Sequence, residues 1–248
     1  MRFEKWHGCG NDFILVERAE LGGELDPGRV RALCDRRTGI GADGILVIGD
    51  PSARRWPLEI HNADGSVAES CGNGSRCVAA YILERHGGES CELATAGGVV
   101  RARRVGHEIG VDLVVPRVGD RLAVGPAHEA VPVDAGNPHL VIFVDDPAAV
   151  ALAALADLAR TAAGDANVEA AAVRDRGSID LRVDERGVGE TLACGTGACA
   201  AVAAAAARGL VDDVVSVRLP GGTLAVRAGA NAYELRGPAE RVFSGTTA

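Results

Sequence analysis

Apolar residues punctuate residues 3–16 and end in the run Phe13-Ile14-Leu15-Val16, with a break at Gly8-Cys9-Gly10, which predicts two strands joined by a turn, the second over 13–16. Val30, Leu33 and Cys34 recur at helical spacing and predict a helix over 27–35 with those three as its buried stripe. Residues 45–48 and 58–61 read as strands, 51–55 as a loop, and Asn62-Ala63-Asp64-Gly65 as a turn. The spacing predicts a helix over 77–83 ended by Gly87-Gly88, then strands over 99–103 and 109–115, with 116–125 as the boundary between two halves. The second half carries a strand over 140–144, a helix over 148–161, a strand over 179–183, a helix from Cys194 to Arg208 and a strand-rich end. The helices that follow Cys71 and Cys194 are apolar on nearly every face, so each is expected inside a wrap of strands rather than on a surface.

Part of this pattern is written twice. Cys71-Gly72-Asn73-Gly74-Ser75-Arg76-Cys77 returns as Cys194-Gly195-Thr196-Gly197-Ala198-Cys199, an offset of 123 residues (71 to 194) in a chain of 248. Leu58 and Ile60 alternate ahead of Asn62 as Leu181 and Val183 do ahead of Glu185, and Asn62 and Glu185 each lie nine residues before their cysteine. Gly10-Asn11 recurs as Gly136-Asn137 at an offset of 126. One structural unit therefore occurs twice and sets two like cysteines in like surroundings.

Composition narrows what such a unit does. Hydrophobic residues make up 47% of the chain, enough for two cores, and its 33 glycines are near twice the usual share, which implies many tight turns. A net charge of −8 without a lysine- or arginine-rich run argues against a nucleic-acid partner. The first residues lack the order of a secretory signal, and the longest apolar run, 198–207, is too short to cross a bilayer, so a cytoplasmic protein without membrane contact is expected. Seven cysteines without a dense pattern imply reduced thiols.

Two cysteines, each before a Gly-x-Gly turn that opens a helix, suit acid/base chemistry. The first N–H groups of a helix and its positive dipole end favour a thiolate and bind a carboxylate, and that setting is expected to lower a thiol toward neutrality. Two such thiols on opposite faces of one carbon remove a proton and return it from the far side, while the helix starts stabilise the charge that grows on a bound carboxylate. The pattern suggests a racemase or epimerase with no cofactor. Cys77 and Cys199, inside the apolar helices, are read as core residues, and Cys9, Cys34 and Cys91 have no partner in the pattern. A zinc site is disfavoured because the spacings are not those of paired C-x-x-C, so no metal is expected. Gly39-Ile40-Gly41-Ala42-Asp43-Gly44 fits a dinucleotide fingerprint, but with helix before it and strand after it, the reverse of a phosphate site, it reads as a tight turn.

Taken together, Gly8-Cys9-Gly10-Asn11-Asp12-Phe13, Arg37-Thr38-Gly39-Ile40-Gly41-Ala42-Asp43-Gly44, Asn62-Ala63-Asp64-Gly65-Ser66, Cys71-Gly72-Asn73-Gly74, Gly136-Asn137-Pro138-His139, Asn167-Val168-Glu169, Glu185-Arg186-Gly187-Val188-Gly189-Glu190-Thr191 and Cys194-Gly195-Thr196-Gly197 resemble the diaminopimelate epimerase family, in order and over nearly the whole chain. The resemblance implies an α+β fold of two pseudo-twofold-related domains, each a curved mixed sheet or barrel wrapped around a central helix, with the site in the cleft between them. The expected domains are 1–117, completed by a C-terminal strand at 238–248, and 118–237. It implies that Cys71 and Cys194 are the acid/base thiols converting LL-diaminopimelate to the meso form, for lysine and cell-wall synthesis. By the same resemblance, Gly72, Asn73, Gly195 and Thr196 hold the α-carboxylate, Glu185 receives the α-ammonium, and His139 lies near the reaction centre. Asn11, Asn62, Asn137, Asn167 and Arg186 grip the substrate, Arg186 by a fork suited to the distal carboxylate. A homodimer is implied as well.

Departures from the family pattern are Gly44, where some members carry a substrate-contacting glutamine, His61, the stretches 113–116 and 162–166, and Phe243, in place of a tyrosine used at the dimer interface. Two alternatives stay open: a related two-cysteine racemase acting on another amino acid, and a nucleotide-binding or scaffold protein resting on Gly195-x-Gly197-x-x-Ala200, which lacks a ribose acid about twenty residues on.

Overall fold

The computed structural model describes residues 1–50 and 55–247; most of the loop expected at 51–55 lies outside the described residues. Contacts along the chain divide it into two compact units, one formed by Met1–Val111 with the segment from Gly237 onward, the other by Asp112–Arg236. Among the described residues no helix is long and apolar enough to cross a membrane.

In the first unit the elements are β1 (Arg2–Gly8), β2 (Asn11–Glu17), α1 (Pro27–Cys34), β3 (Gly44–Ile48), β4 (Arg55–Asn62), β5 (Val67–Ala68), α2 (Gly72–His86), β6 (Ser90–Thr95), β7 (Gly98–Val105) and β8 (Glu108–Leu113). Strands pair in the order β1-β2-β3-β4-β6-β7-β8, with β2/β3 and β4/β6 parallel and the rest antiparallel. The C-terminal strand Glu240–Thr246 adds antiparallel to β1.

The second unit contains β9 (Arg117–Val118), β10 (Leu122–Val124), β11 (His128–Asp134), β12 (Pro138–Phe143), α3 (Leu152–Ala163), β13 (Asn167–Asp175), β14 (Ser178–Glu185), β15 (Gly189–Thr191), α4 (Gly195–Ala206), β16 (Val214–Leu219), β17 (Gly222–Arg227) and β18 (Tyr233–Gly237). Its order is β11-β12-β13-β14-β16-β17-β18, with β12/β13 and β14/β16 parallel, so every pairing of the first unit has a counterpart here. The strands β9 and β10, within the segment read as a boundary, pair with β11.

Each sheet has a helix on both faces, and strand alternation decides which side chain meets which helix. Ile45 and Val47 of β3 pack with Val30 and Cys34 of α1, while Leu46 between them reaches Gly74 of α2. In the second unit Val168 and Ala170 of β13 pack with Leu152 and Leu155 of α3, and the residue between them, Glu169, reaches Gly197 of α4. Both α2 and α4 touch several strands of their own sheet, which matches the apolar character of α4 and of α2 over Cys77–Leu83, although the start of α2 also buries Arg76.

Boundaries differ from the sequence reading for local reasons. The helix expected from 77 begins at Gly72, because Cys71 caps it and burial outweighs the poor helix propensity of Gly72-Asn73-Gly74-Ser75. The helix expected from 148 begins at Leu152, since Asp146 caps a short 3₁₀ turn over Pro147–Ala149 through the Ala148 N–H at 3.0 Å. The strand expected to reach 115 stops at Leu113, ahead of Pro116. The glycine-rich turn joins α1 to β3: Gly41 has φ +80°, and a Cβ on Gly39 would lie 2.1 Å from the Ala32 carbonyl oxygen.

Candidate active site

Cys71 and Cys194 are the N-cap residues of α2 and α4. Both have extended backbone, and each sulfur accepts the third N–H of its helix, Gly74 N to Cys71 Sγ at 3.3 Å and Gly197 N to Cys194 Sγ at 3.4 Å. Serine or aspartate ordinarily fills this position. Here it sets each sulfur at the positive end of a buried helix, among N–H groups that an anion also satisfies. Cys71 is half-buried and Cys194 is buried.

In the first unit Asn11, at the start of β2, donates from Nδ2 to Asp43 at 2.9 Å and accepts from Asn73 Nδ2 at 3.1 Å. Asp43 in turn pairs with Arg36 at 2.7 Å. Asn62 closes β4 opposite Gly44 and donates to Ser66 at 2.9 Å. Asn11, Gly44 and Asn62 thus lie at the same end of strands β2, β3 and β4. A Cβ on Gly44 would lie 2.5 Å from the His61 carbonyl oxygen, so this backbone admits no glutamine there without moving.

The second unit repeats the arrangement with different side chains. Asn167 opens β13 and Glu185 closes β14. Asn167 Oδ1 accepts the Arg186 N–H at 2.8 Å, and Glu185 accepts from Thr191 at 2.6 Å. Arg186 is half exposed, its nearest carboxylate being Asp165 at 3.9 Å. His139 follows the start of β12, with Nε2 3.0 Å from Asn137 Oδ1 and Nδ1 2.6 Å from Glu169. Thr196 Oγ1 lies 3.5 Å from Cys194 Sγ. Within this unit Cys194 lies against Thr196, His139 joins Asn137 to Glu169, the charges of Glu185 and Glu169 both act on the thiol, and Asn167 is the register partner of His139 in the β12/β13 pair.

The expectation of a lowered thiol is reversed at Cys194. Burial pushes it well above the ordinary cysteine value, Glu185 and Glu169 push the same way, and the Thr196 and Gly197 hydrogen bonds only partly oppose them. Burial also raises the Glu185 carboxyl, against the Thr191 hydrogen bond. Cys77 is fully buried and pushed up to about 12, as a core thiol is. Cys199 is buried within α4. Among the described residues no group of three or more His, Cys, Asp or Glu is placed to hold a metal ion.

The family model for diaminopimelate epimerase matches residues 3–115 and 131–242. A curated relative named diaminopimelate epimerase, from Rhizorhabdus wittichii, is 40% identical over 100% of this chain and 95% of its own length. Another of that name, from Thioalkalivibrio sulfidiphilus, is 38% identical over 99% and 98%. The chain belongs to the diaminopimelate epimerase family. Solved structures show the same fold at low identity. A PhzF-family phenazine biosynthesis protein from Bacillus anthracis superposes with a TM-score of 0.76 at 13% identity, covering 99% of this chain and 98% of that one. A hydroxyproline epimerase from Agrobacterium vitis gives 0.71 at 16%, covering 99% and 90%. Against the family motifs, the residue that the sequence reading passed over is Glu169. It stood only as the third letter of Asn167-Val168-Glu169, yet a single charge in the otherwise apolar run 168–173 was a visible signal.

Proposed function

We propose that this member of the diaminopimelate epimerase family is a cofactor-independent isomerase that converts LL-diaminopimelate to the meso form. Cys71 and Cys194 act as paired acid and base on opposite faces of one α-carbon. The observation that carries the reading is the duplicated N-cap: two cysteines, one per repeated unit, each with its sulfur on the third N–H of a buried helix.

One sulfur, as thiolate, takes the α-proton. The electron pair left on carbon delocalises into the α-carboxylate, whose growing charge is met by the N–H groups of Gly72, Asn73, Gly195 and Thr196. The second sulfur, as thiol, delivers its proton to the opposite face. Burial, with Glu185 and Glu169 nearby, favours the protonated form of Cys194 before substrate binds. Glu185, partly buried, receives the α-ammonium, with His139 close by. Asn11, Asn62, Asn137 and Asn167 orient the remaining polar groups. Arg186, half exposed with only a distant carboxylate neighbour, is available to a distal carboxylate. We read the protein as a cytoplasmic homodimer acting on a small amino acid; Val242 and Phe243, exposed on the C-terminal strand, favour pairing with a second copy.

The test is deuterium uptake by NMR in D₂O. The protein should label the α-position of LL-diaminopimelate and generate the meso isomer. Cys71→Ala and Cys194→Ala should each slow inversion by at least roughly a hundredfold, the scale of a lost acid/base group. Retained turnover in either variant would defeat the two-thiol mechanism. Uptake into another amino acid but not diaminopimelate would point to a related racemase, a reading that the absence of a side chain at Gly44 favours.

A further inference from the structure

Repetition of the fold supplies an internal control on what each buried position needs. Phe13 and His139 pair with the first residues of equivalent parallel strands, Gly44 and Asn167. Two residues further along those strands stand Leu46 and Glu169. Each passes under the first turn of its central helix: a Cβ on Gly74 would lie 2.9 Å from Leu46 Cδ2, and one on Gly197 would lie 2.8 Å from Glu169 Oε1. The first unit therefore fills this layer with Phe13 and Leu46, and the second fills it with His139 and Glu169. Packing alone is satisfied by the hydrocarbon pair. The His139 and Glu169 side chains are 0% exposed, and burying a carboxylate and an imidazole costs free energy that leucine and phenylalanine avoid.

What the second unit gains is an oriented imidazole. Glu169 Oε1 meets His139 Nδ1 at 2.6 Å, and the other ring nitrogen meets Asn137 Oδ1 at 3.0 Å. Both facing atoms are oxygens: the charged one takes the ring proton at Nδ1, and Nε2 then accepts from the Asn137 side-chain amide turned over so that its Nδ2 faces the ring. We propose that Glu169 is a positioning residue for the reaction: its carboxylate holds a proton on His139 Nδ1, fixing the ring and, through Nε2, Asn137 beneath the helix turn that Cys194 caps. The inference rests on the epimerase reading of this site and adds to it the residue that sets the tautomer. Glu169 Oε2 is buried without a hydrogen-bond partner among the described residues, so the carboxylate engages the ring through one oxygen.

Two variants of the whole protein test it. Glu169→Leu installs what the first unit uses; Glu169→Gln keeps the size and an acceptor oxygen but removes the charge. Side-chain ¹⁵N NMR, with the His139 signals assigned by comparison with His139→Gln, reads the ring directly. In the unaltered protein Nδ1 should be protonated and strongly hydrogen-bonded. In Glu169→Gln the Nδ1 proton should stay but move upfield, and in Glu169→Leu it should leave for Nε2. The kcat of Glu169→Leu should fall roughly tenfold to a hundredfold, as when the outer partner of an oriented histidine is lost. KM should change little, and Glu169→Gln should recover part of the rate.

Identical His139 signals in the unaltered protein and Glu169→Gln would overturn the proposal, and that comparison stands even if the leucine variant fails to fold. A shifted ring with full kcat would also overturn it, leaving Glu169 a structural residue. Absence of α-proton exchange in the unaltered protein would instead defeat the epimerase reading, while the NMR comparison would still decide whether Glu169 sets the tautomer.

Discussion

Gly74 and Gly197 occupy the same step of their helices, one turn beyond the capping sulfur, and they differ in what a methyl group would strike. At Gly74 the nearest atom is a leucine methyl at 2.9 Å, which can swing aside. At Gly197 it is the Glu169 oxygen at 2.8 Å, already bonded to His139, with Val183 and the Cys194 Cβ at 3.3 and 3.4 Å behind it. Gly197→Ala should therefore cost clearly more activity than Gly74→Ala, and should disturb the His139 ring signals where Gly74→Ala does not. Steady-state rates of the two variants, read beside those spectra, check it. Both glycines were visible in the duplicated motif, but nothing in the motif told them apart. The difference lies in residues 28 positions upstream, Leu46 and Glu169, which meet the helices only through the fold.

The central helices show what an element needs when strands surround it. From Ala198 to Ala205, α4 is alanine except for Cys199 and Val202, and every one of these side chains is buried. Small side chains let the sheet approach the helix on all sides, as close packing requires. Ala201→Leu should overpack this contact and lower stability by about 1–3 kcal/mol, measured as a drop in urea midpoint without loss of the native circular-dichroism spectrum. The apolar character of α4 and of α2 over Cys77–Leu83, and their place inside the sheets, could be read from sequence because burial on every face there leaves no polar stripe. Their exact starts could not, because Gly72-Asn73-Gly74-Ser75 favours a turn until Cys71 caps it and the sheet covers it. The same competition shifted α3, where Asp146 captured the start for a 3₁₀ turn.

At the scale of the whole molecule, stability has an acid-sensitive part. Asp12 is 15% exposed, and burial alone would raise its carboxyl. Hydrogen bonds from Arg36 and Lys5, with Oδ contacts of 2.7 and 2.6 Å, outweigh burial and hold it well below the usual carboxylate range. Because the folded value lies below the unfolded one, this contribution is complete above about pH 5 and is lost as pH falls through the ordinary carboxylate value near 4 toward the depressed one. Asp12→Asn should cost roughly 2 kcal/mol at neutral pH, the scale of a hydrogen bond to a charged group, and should flatten the fall in melting temperature below about pH 5. An unchanged acid limb would show that the cluster adds nothing. The same cluster reaches the candidate site, since Arg36 also binds Asp43, which holds Asn11.

Local information was enough for the duplication, the two capping cysteines, the apolar central helices and the landmarks at the strand ends, because a repeated motif and its periodicity are written in consecutive residues. Tertiary structure alone decided which alternate residue of each parallel strand meets the central helix, that Leu46 and Glu169 are counterparts, and that Cys194 is pushed up rather than down. Those outcomes depend on burial and on charges distant in sequence, and a carboxylate acts on a thiol only once folding has removed the water between them.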